Sequence, residues 1–443
     1  MSRHLIFALV ILGTLPVCAK DFALHSFKKL QLTDQFWAEG ANFGDFNRDG
    51  KNDIVSGPFW YEGPEFKTRH EYYPATEKFK VKKPDGTEET IPGYEGALGV
   101  NNTYSKNFIA FTYDFNRDKW LDILILGFPG EESWWYENPK GKSGHWKRHV
   151  AIGVTDNESP TFGDLTGDGK PEIICSSNGF LGYAEPDWKN PTNKWTWHNI
   201  SPNNKYHRFT HGLGFGDVNG DGRKDILEKE GWWEQPKSLE GNPVWKQHKF
   251  PFGPQQGGAQ MYAYDVNGDG LNDVITGLAA HGYGLVWYEQ LRERKADGEI
   301  DFKQHTILHA DKTRYEFGVS FSQLHAIDLV DMNGDGLKDI VTGKRFWAHG
   351  PQGDPEPGAP AVVYWFELVR NKDKSVTFIP QLIDDDSGVG TQVLAGDVNG
   401  DNLLDIVVGN KKGTFVHFHQ KKKVSRTEWE AARPKPAAAK QDN

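Results

Sequence analysis

The 443-residue chain holds two cysteines, three methionines and fewer Lys+Arg (51) than Asp+Glu (61). Each shortage excludes something. One cysteine, Cys18, lies in an N-terminal leader, so Cys175 has no internal partner and no disulfide framework is available. A net charge of −10 argues against a nucleic-acid partner, which would need clustered Lys and Arg. No apolar run is long enough to cross a bilayer. The run Leu5 to Leu15 is too short, and with Arg3 and His4 before it and Val17-Cys18-Ala19 after it the stretch reads as a signal peptide, residues 1–19. Lipid anchoring at Cys18 is the alternative, for which Val17 is a poor flank. The expected destination is therefore secreted or periplasmic, and the expected state monomeric. Long amphipathic helical stretches are also missing from the central region.

What is abundant is glycine (49) and aromatics (Trp 16, Tyr 15, Phe 27), the composition of short strands joined by tight turns. A nine-residue loop, D-x-N-x-D-G-x-x-D followed by two apolar residues, recurs seven times. Its oxygen positions are Asp45, Asn47, Asp49 and Asp53; Asp114, Asn116, Asp118 and Asp122; Asp164, Thr166, Asp168 and Glu172; Asp217, Asn219, Asp221 and Asp225; Asp265, Asn267, Asp269 and Asp273; Asp331, Asn333, Asp335 and Asp339; and Asp397, Asn399, Asp401 and Asp405. The starts are 69, 50, 53, 48, 66 and 66 residues apart, and about 50 suits one four-stranded propeller blade. The order within a unit is loop, apolar run, aromatic strand often ending in Glu, then a strand pairing an aromatic with His, as in Trp60-Tyr-Glu62 and Phe66 to His70. The expectation is an all-β, seven-bladed propeller over residues 20–420. The N-terminal strand His25 to Leu32 should supply the missing last strand of the seventh unit and close the ring. From Lys421 the basic, Ala/Pro-rich end reads as a disordered tail.

Oxygen ligands at loop positions 1, 3 and 5 with Gly at 6 are how an EF-hand wraps calcium, although here the last carboxylate falls at position 9 and the loop leads into β-branched residues. Hard oxygens favour calcium over zinc. The loops at Asp45, Asp217, Asp265 and Asp331 are complete. That at Asp397 has Asn402 in the Gly position, and that at Asp114 has Lys119 there, which makes it the weakest candidate. The alternative is that these side chains only form Asx turns.

The repeat resembles the FG-GAP/VCBS family, which builds seven-bladed propellers like the head of integrin α chains; the likeness covers roughly residues 25–420. It implies calcium at the lower face and ligand binding at the upper one. A similar propeller occurs in aldos-2-ulose dehydratase, a fungal sugar lyase.

Residues at the upper mouth should precede the inner strands or follow the second ones. Those that break the repeat are Asn101, Asn102, Glu158, His207, His211, Gln323 and His325, and Glu228, Lys229, His281, Lys344, Arg345 and His349. The His residues paired with aromatics in five units read as structural. Three functions compete. In one, the mouth binds a carbohydrate or glycan, with Asn101, His207, Tyr283, Lys344, Arg345 and Trp347 as contacts and Trp60 and Trp232 also stacking on sugar rings. In another, His211, His281, His325, His349 and Glu158 bind a transition metal or act as acid and base in a sugar lyase, dehydratase or hydrolase, with Lys344 and Arg345 holding a carboxylate or oxyanion. The third is a protein–protein adhesion module. Packing histidines with ordinary hydrogen bonds are the plain alternative. The Pro/Gly-rich segment 350–360 is long enough to be a binding element.

Overall fold

β-Branched and aromatic runs, punctuated by turns whose glycines take positive φ, produce short antiparallel strands throughout. The computed structural model describes residues 22–75, 78–83, 85–92, 104–254, 256–346, 349–350 and 352–436. The signal peptide, Asn101, Asn102, Trp347 and the last seven residues lie outside them.

Five four-stranded sheets follow one plan. One comprises Asn42–Gly44, Asp53–Ser56, Phe59–Tyr61 and Arg69–Glu71. The next three run from Leu213–Gly216 to Lys246–Lys249, from Tyr262–Tyr264 to Phe302–Leu308 and from Ile327–Val330 to Val376–Asp384. The fifth joins Val393–Gly396, Asp405–Asn410 and Gly413–Lys423 to the N-terminal strand Ala23–Thr33. Residues 109–199 form a seven-stranded sheet instead. The 17-residue strand Lys147–Gly163 pairs through Lys147–Thr155 with Glu131–Glu137, and through Asp156–Gly163 with Glu172–Ser177, so two units share one continuous strand. A separate hairpin, Lys78–Lys82 with Glu88–Pro92, forms within the first insertion.

The loops join the first and second strands of each unit. The position-9 carboxylate is fully buried and pins both ends: Asp53 accepts from Phe46 N–H and Gly63 N–H, and Asp225 from Val218 N–H and Gln235 N–H. Asn402 and Lys119 adopt φ of 66° and 73°, so the turn survives without its glycine at both positions.

The aromatic–His pairs are packing devices. His70 stacks on Trp60 at 3.9 Å and bonds Glu62; His248 stacks on Trp232 at 4.0 Å and bonds Glu234; His149, His198 and His305 repeat the pattern on Trp135, Tyr183 and Trp287. In the sixth unit Gln381 lies opposite Trp365 and donates to Glu367. Trp60 and Trp232 are thereby buried, which corrects the expectation that they stack on a sugar.

The tail expected to be disordered is ordered over its described part, up to residue 436. The last strand continues to Lys423, and Arg426–Ala432 is helical. Ser425 and Glu428 form a capping box, and Trp429 packs on Phe22 with ring centroids 5.1 Å apart.

The seam between the two chain ends carries three histidines. His25 Nδ1 lies 2.8 Å from His419 Nε2, His419 stacks on Phe27, and His417 Nε2 meets Ser387 Oγ at 3.0 Å. Burial pushes all three imidazoles down to about 4. Between pH 6.5 and 4 the unfolded chain then binds more protons than the folded one, so folding stability is lost as pH falls through that window. Replacing buried His417 with Gln should remove about 3 kcal/mol of that pH dependence. Melting curves of both proteins from pH 7.5 to 4.5 check this; parallel curves refute it.

Candidate functional site

The segments before the inner strands and after the second strands are tied from sheet to sheet by backbone hydrogen bonds. Glu158 N–H donates to Thr210 O, His211 N–H to Gln256 O, Gln323 N–H to Gly282 O, Arg345 N–H to Gln323 O and Thr391 N–H to Glu39 O. Gly390 allows the last approach, since a Cβ there would stand 1.8 Å from Glu39 O. Gln323 takes a φ of 62° to accept and donate in this chain. The result is that residues far apart in sequence meet at one place.

Glu158, His211, His281 and His325 each present a ligand atom within 4.8 Å of the others. His211 Nε2 is 3.2 Å from Glu158 Oε2 but off the hydrogen-bond axis. The rings of His211, His281 and His325 lie 4.4–5.3 Å apart, edge to face. Glu158, His211 and His325 are buried, and neither ring nitrogen of His211 or His325 has an aligned hydrogen bond among the described residues. A buried polar atom left unpaired costs about 1–3 kcal/mol, so this cluster is expensive as it stands.

Arg345 supplies the countercharge. Fully buried, it places Nη2 2.8 Å from Glu39 Oε2 and Nη1 3.9 Å from Glu158 Oε2, with its guanidinium over the Tyr104 ring. Burial works against its charge, but Glu39, Tyr104 and Glu158 outweigh that and raise its pKa. Burial likewise opposes ionisation of Glu158, yet His211 and Arg345 hold its pKa below the usual value. Burial, then the neighbouring cations, push His281 down to about 3 and His325 well below its normal range, so both imidazoles are neutral.

Around this centre, Asp354 bonds His349 Nδ1 at 2.9 Å and lies 3.5 Å from His281 Nδ1. It belongs to the Pro/Gly-rich segment, which docks on the mouth through Ser322 Oγ donating to Pro355 O. Lys344 donates to Ser322 Oγ at 2.7 Å, and burial lowers its pKa to about 8, as it does for Lys411. Tyr283 reaches Glu356 and Ser322.

Of the sequence candidates, Glu158, His211, His281, His325, His349, Lys344 and Arg345 converge. His207 does not: it is exposed and accepts from Phe209 N–H in a surface turn. Glu228 is buried within its own sheet near Tyr206 and Gln247, and Lys229 pairs with Glu230. Sequence reasoning missed Glu39, Tyr104, Asp354 and Lys411. Glu39 had a signal, a lone carboxylate inside the apolar stretch Phe36 to Ala41 just before an inner strand.

At the other end of the inner strands, the loops gather carboxylates. Asp164, Asp168 and Glu172 lie within 4.8 Å of one another. Burial, then the other loop carboxylates, push the position-9 groups up, to about 8 for Asp122 and Asp339 and about 7 for Asp225, Asp273 and Glu172. Converging, mutually repelling oxygens at a buried position fit a hard divalent cation. The Asx-type bonds also form: Asp217 Oδ2 accepts from Gly222 N–H and Asn219 Oδ1 from Asp221 N–H.

Residues 114–175 and 331–408, each containing such loops, match the FG-GAP-like repeat. The chain carries FG-GAP-like repeats. Phosphatidylinositol-glycan-specific phospholipase D of Bos taurus is 24% identical over 169 residues, and that of Homo sapiens 27% over 164. Each match takes in 34% of this chain and 18% of the relative, so the chain spans about a fifth of the length of these curated relatives. Among solved structures, an Agrocybe aegerita lectin that recognises non-reducing terminal N-acetylglucosamine is 15% identical with a TM-score of 0.43, covering 78% of this chain and 93% of its own. A rhamnogalacturonan lyase is 11% identical with a TM-score of 0.36, covering 92% and 73%. Among the described residues no helix is long and apolar enough to cross a membrane.

Proposed function

We propose that this chain is a secreted, calcium-stabilised, seven-bladed propeller that binds a carbohydrate at its axial mouth through charged and hydrogen-bonding groups. The blade count takes the seven-stranded sheet as two units sharing Lys147–Gly163, and the Ala23–Thr33 strand as the closure of the ring. Calcium occupies the loops at the opposite end and is structural. The observation that carries the ligand reading is the convergence of Glu158, His211, His281, His325 and Arg345, none of which repeats, from units that otherwise repeat closely. Trp60 and Trp232 take no part in it, because they are committed to histidines in the sheets.

A second reading, a sugar lyase or dehydratase, is favoured by the buried Glu158–His211 pair beside Arg345. Such a reaction needs a base for a carbon-bound proton and a fixed cation for the oxyanion that forms. A screen of polysaccharides and keto-sugars, read for binding and for new unsaturated product, tests both. Saturable binding that weakens at least about tenfold in Arg345→Met supports the binding function. Unsaturated product that disappears in Glu158→Gln establishes the enzyme. Neither binding nor product across the screen refutes the proposal.

A further inference from the structure

We propose that Glu158, His211, His281 and His325 form a mononuclear site for a divalent transition metal of the zinc class. The inference goes beyond the carbohydrate reading and does not need the ligand to be a sugar.

Three imidazoles and one carboxylate, each with a ligand atom within 4.8 Å of the rest, match the spacing of donors around one small ion. The donor set is nitrogen-rich, which selects borderline transition ions over calcium, whereas the loops offer only oxygen. The second, independent observation is burial without aligned hydrogen bonds, the 3.2 Å contact between His211 and Glu158 included. His211 and His325 are 2% and 1% exposed, yet all four of their ring nitrogens lack an aligned hydrogen bond among the described residues, as does Glu158 Oε2. Packing histidines elsewhere in this chain behave differently: His149, equally enclosed within a sheet, stacks on Trp135 and bonds Glu137. A metal would satisfy the orphaned atoms together.

The surroundings are those of a ligated site. Asp354 contacts both His281 and His349, the kind of carboxylate support that fixes the orientation of ligating imidazoles. Arg345, paired with Glu39, sits 3.9 Å from Glu158, close enough to steady the carboxylate and too far to occupy it. His349 is half exposed at the solvent side, where an incoming ligand would first meet the centre.

The test uses the full secreted chain in millimolar calcium, so that the loops stay loaded and do not compete. After a zinc-selective chelator is dialysed away, the protein is titrated with Co2+ and then Zn2+. The expected result is one equivalent of cobalt with visible d–d bands of a low-symmetry N/O site, displaced stoichiometrically by zinc. Glu158→Gln and His325→Ala should each weaken zinc binding at least about 100-fold, while His149→Gln leaves it unchanged. The wild-type titration stands even if a variant fails to fold. Absence of stoichiometric binding in the folded wild-type protein overturns the site, leaving a buried Glu–His ion pair, and so does binding that survives both variants with the fold intact.

Discussion

Removing residues 21–33 should lower the melting temperature by on the order of 10 °C and broaden the transition. The strand Ala23–Thr33 pairs antiparallel with Gly413–Lys423 from Ala23–Lys423 to Thr33–Thr414, with a bulge near its end. It also brings Leu30 and Leu32 onto one core cluster, Phe27 onto another, and Lys29 to 2.9 Å from Asp384. Its loss costs a ladder of hydrogen bonds at about 1 kcal/mol each, bares apolar surface on a sheet that shares its core with the next unit, and leaves an open strand edge. Because the first and last units of the chain share this seam, the damage spreads to both ends. Differential scanning calorimetry of the truncated and full mature chains measures it; an unchanged midpoint refutes the role assigned to the strand.

Chelation has the second large effect. An ion bound only by the folded state at 100 times its dissociation constant adds about 2.7 kcal/mol, so four complete loops, if each holds calcium as proposed, would together contribute on the order of 10 kcal/mol. EDTA should therefore lower the midpoint by on the order of 10 °C, and excess calcium should restore it. The loops should not contribute equally. Asp225→Asn, in a complete loop, should remove more of the calcium-dependent increment than Asp122→Asn, in the loop where Lys119 stands in place of Gly. A transition unmoved by EDTA leaves the Asx-turn reading of the loops in possession.

Repetition made the fold legible. A spacing of about 50 residues, the D-x-N-x-D-G-x-x-D loop and the Trp-x-Glu/His alternation each reflect local rules, turn chemistry and period-two patterning, that act within a few residues. The same rules marked the paired histidines as structural before any contact was visible. The strand Lys147–Gly163 escaped because Gly153 and Asp156-Asn157 read as a break, whereas the chain stays extended through them, with Asn157 at a φ of 82° and the ladder irregular between Asp156 and Thr161. The C-terminal helix escaped because composition hides a capping box and one anchoring tryptophan.

The mouth was half legible. Non-repeating residues at predictable strand ends pointed to Glu158, His211, His281, His325 and Arg345, since backbone bonds from sheet to sheet gather such positions. Asp354 and Lys411 join through long-range contacts that no local pattern announces. His207 and Lys229 satisfied the same positional rule, but His207 turns to the surface and Lys229 pairs with Glu230. Trp60 and Trp232 were attractive as exposed platforms only while their cross-strand histidines were unplaced.

As proposed here, the repeated loops are scaffold and the non-repeating mouth is the functional site, each with its own class of ion. An anomalous-difference map from crystals grown with calcium and zinc, recorded on both sides of the zinc absorption edge, tests it most directly. Edge-independent peaks are expected in the complete loops and one edge-dependent peak between Glu158, His211, His281 and His325. Zinc in the loops with nothing at the mouth, or no peak at either end, would contradict it.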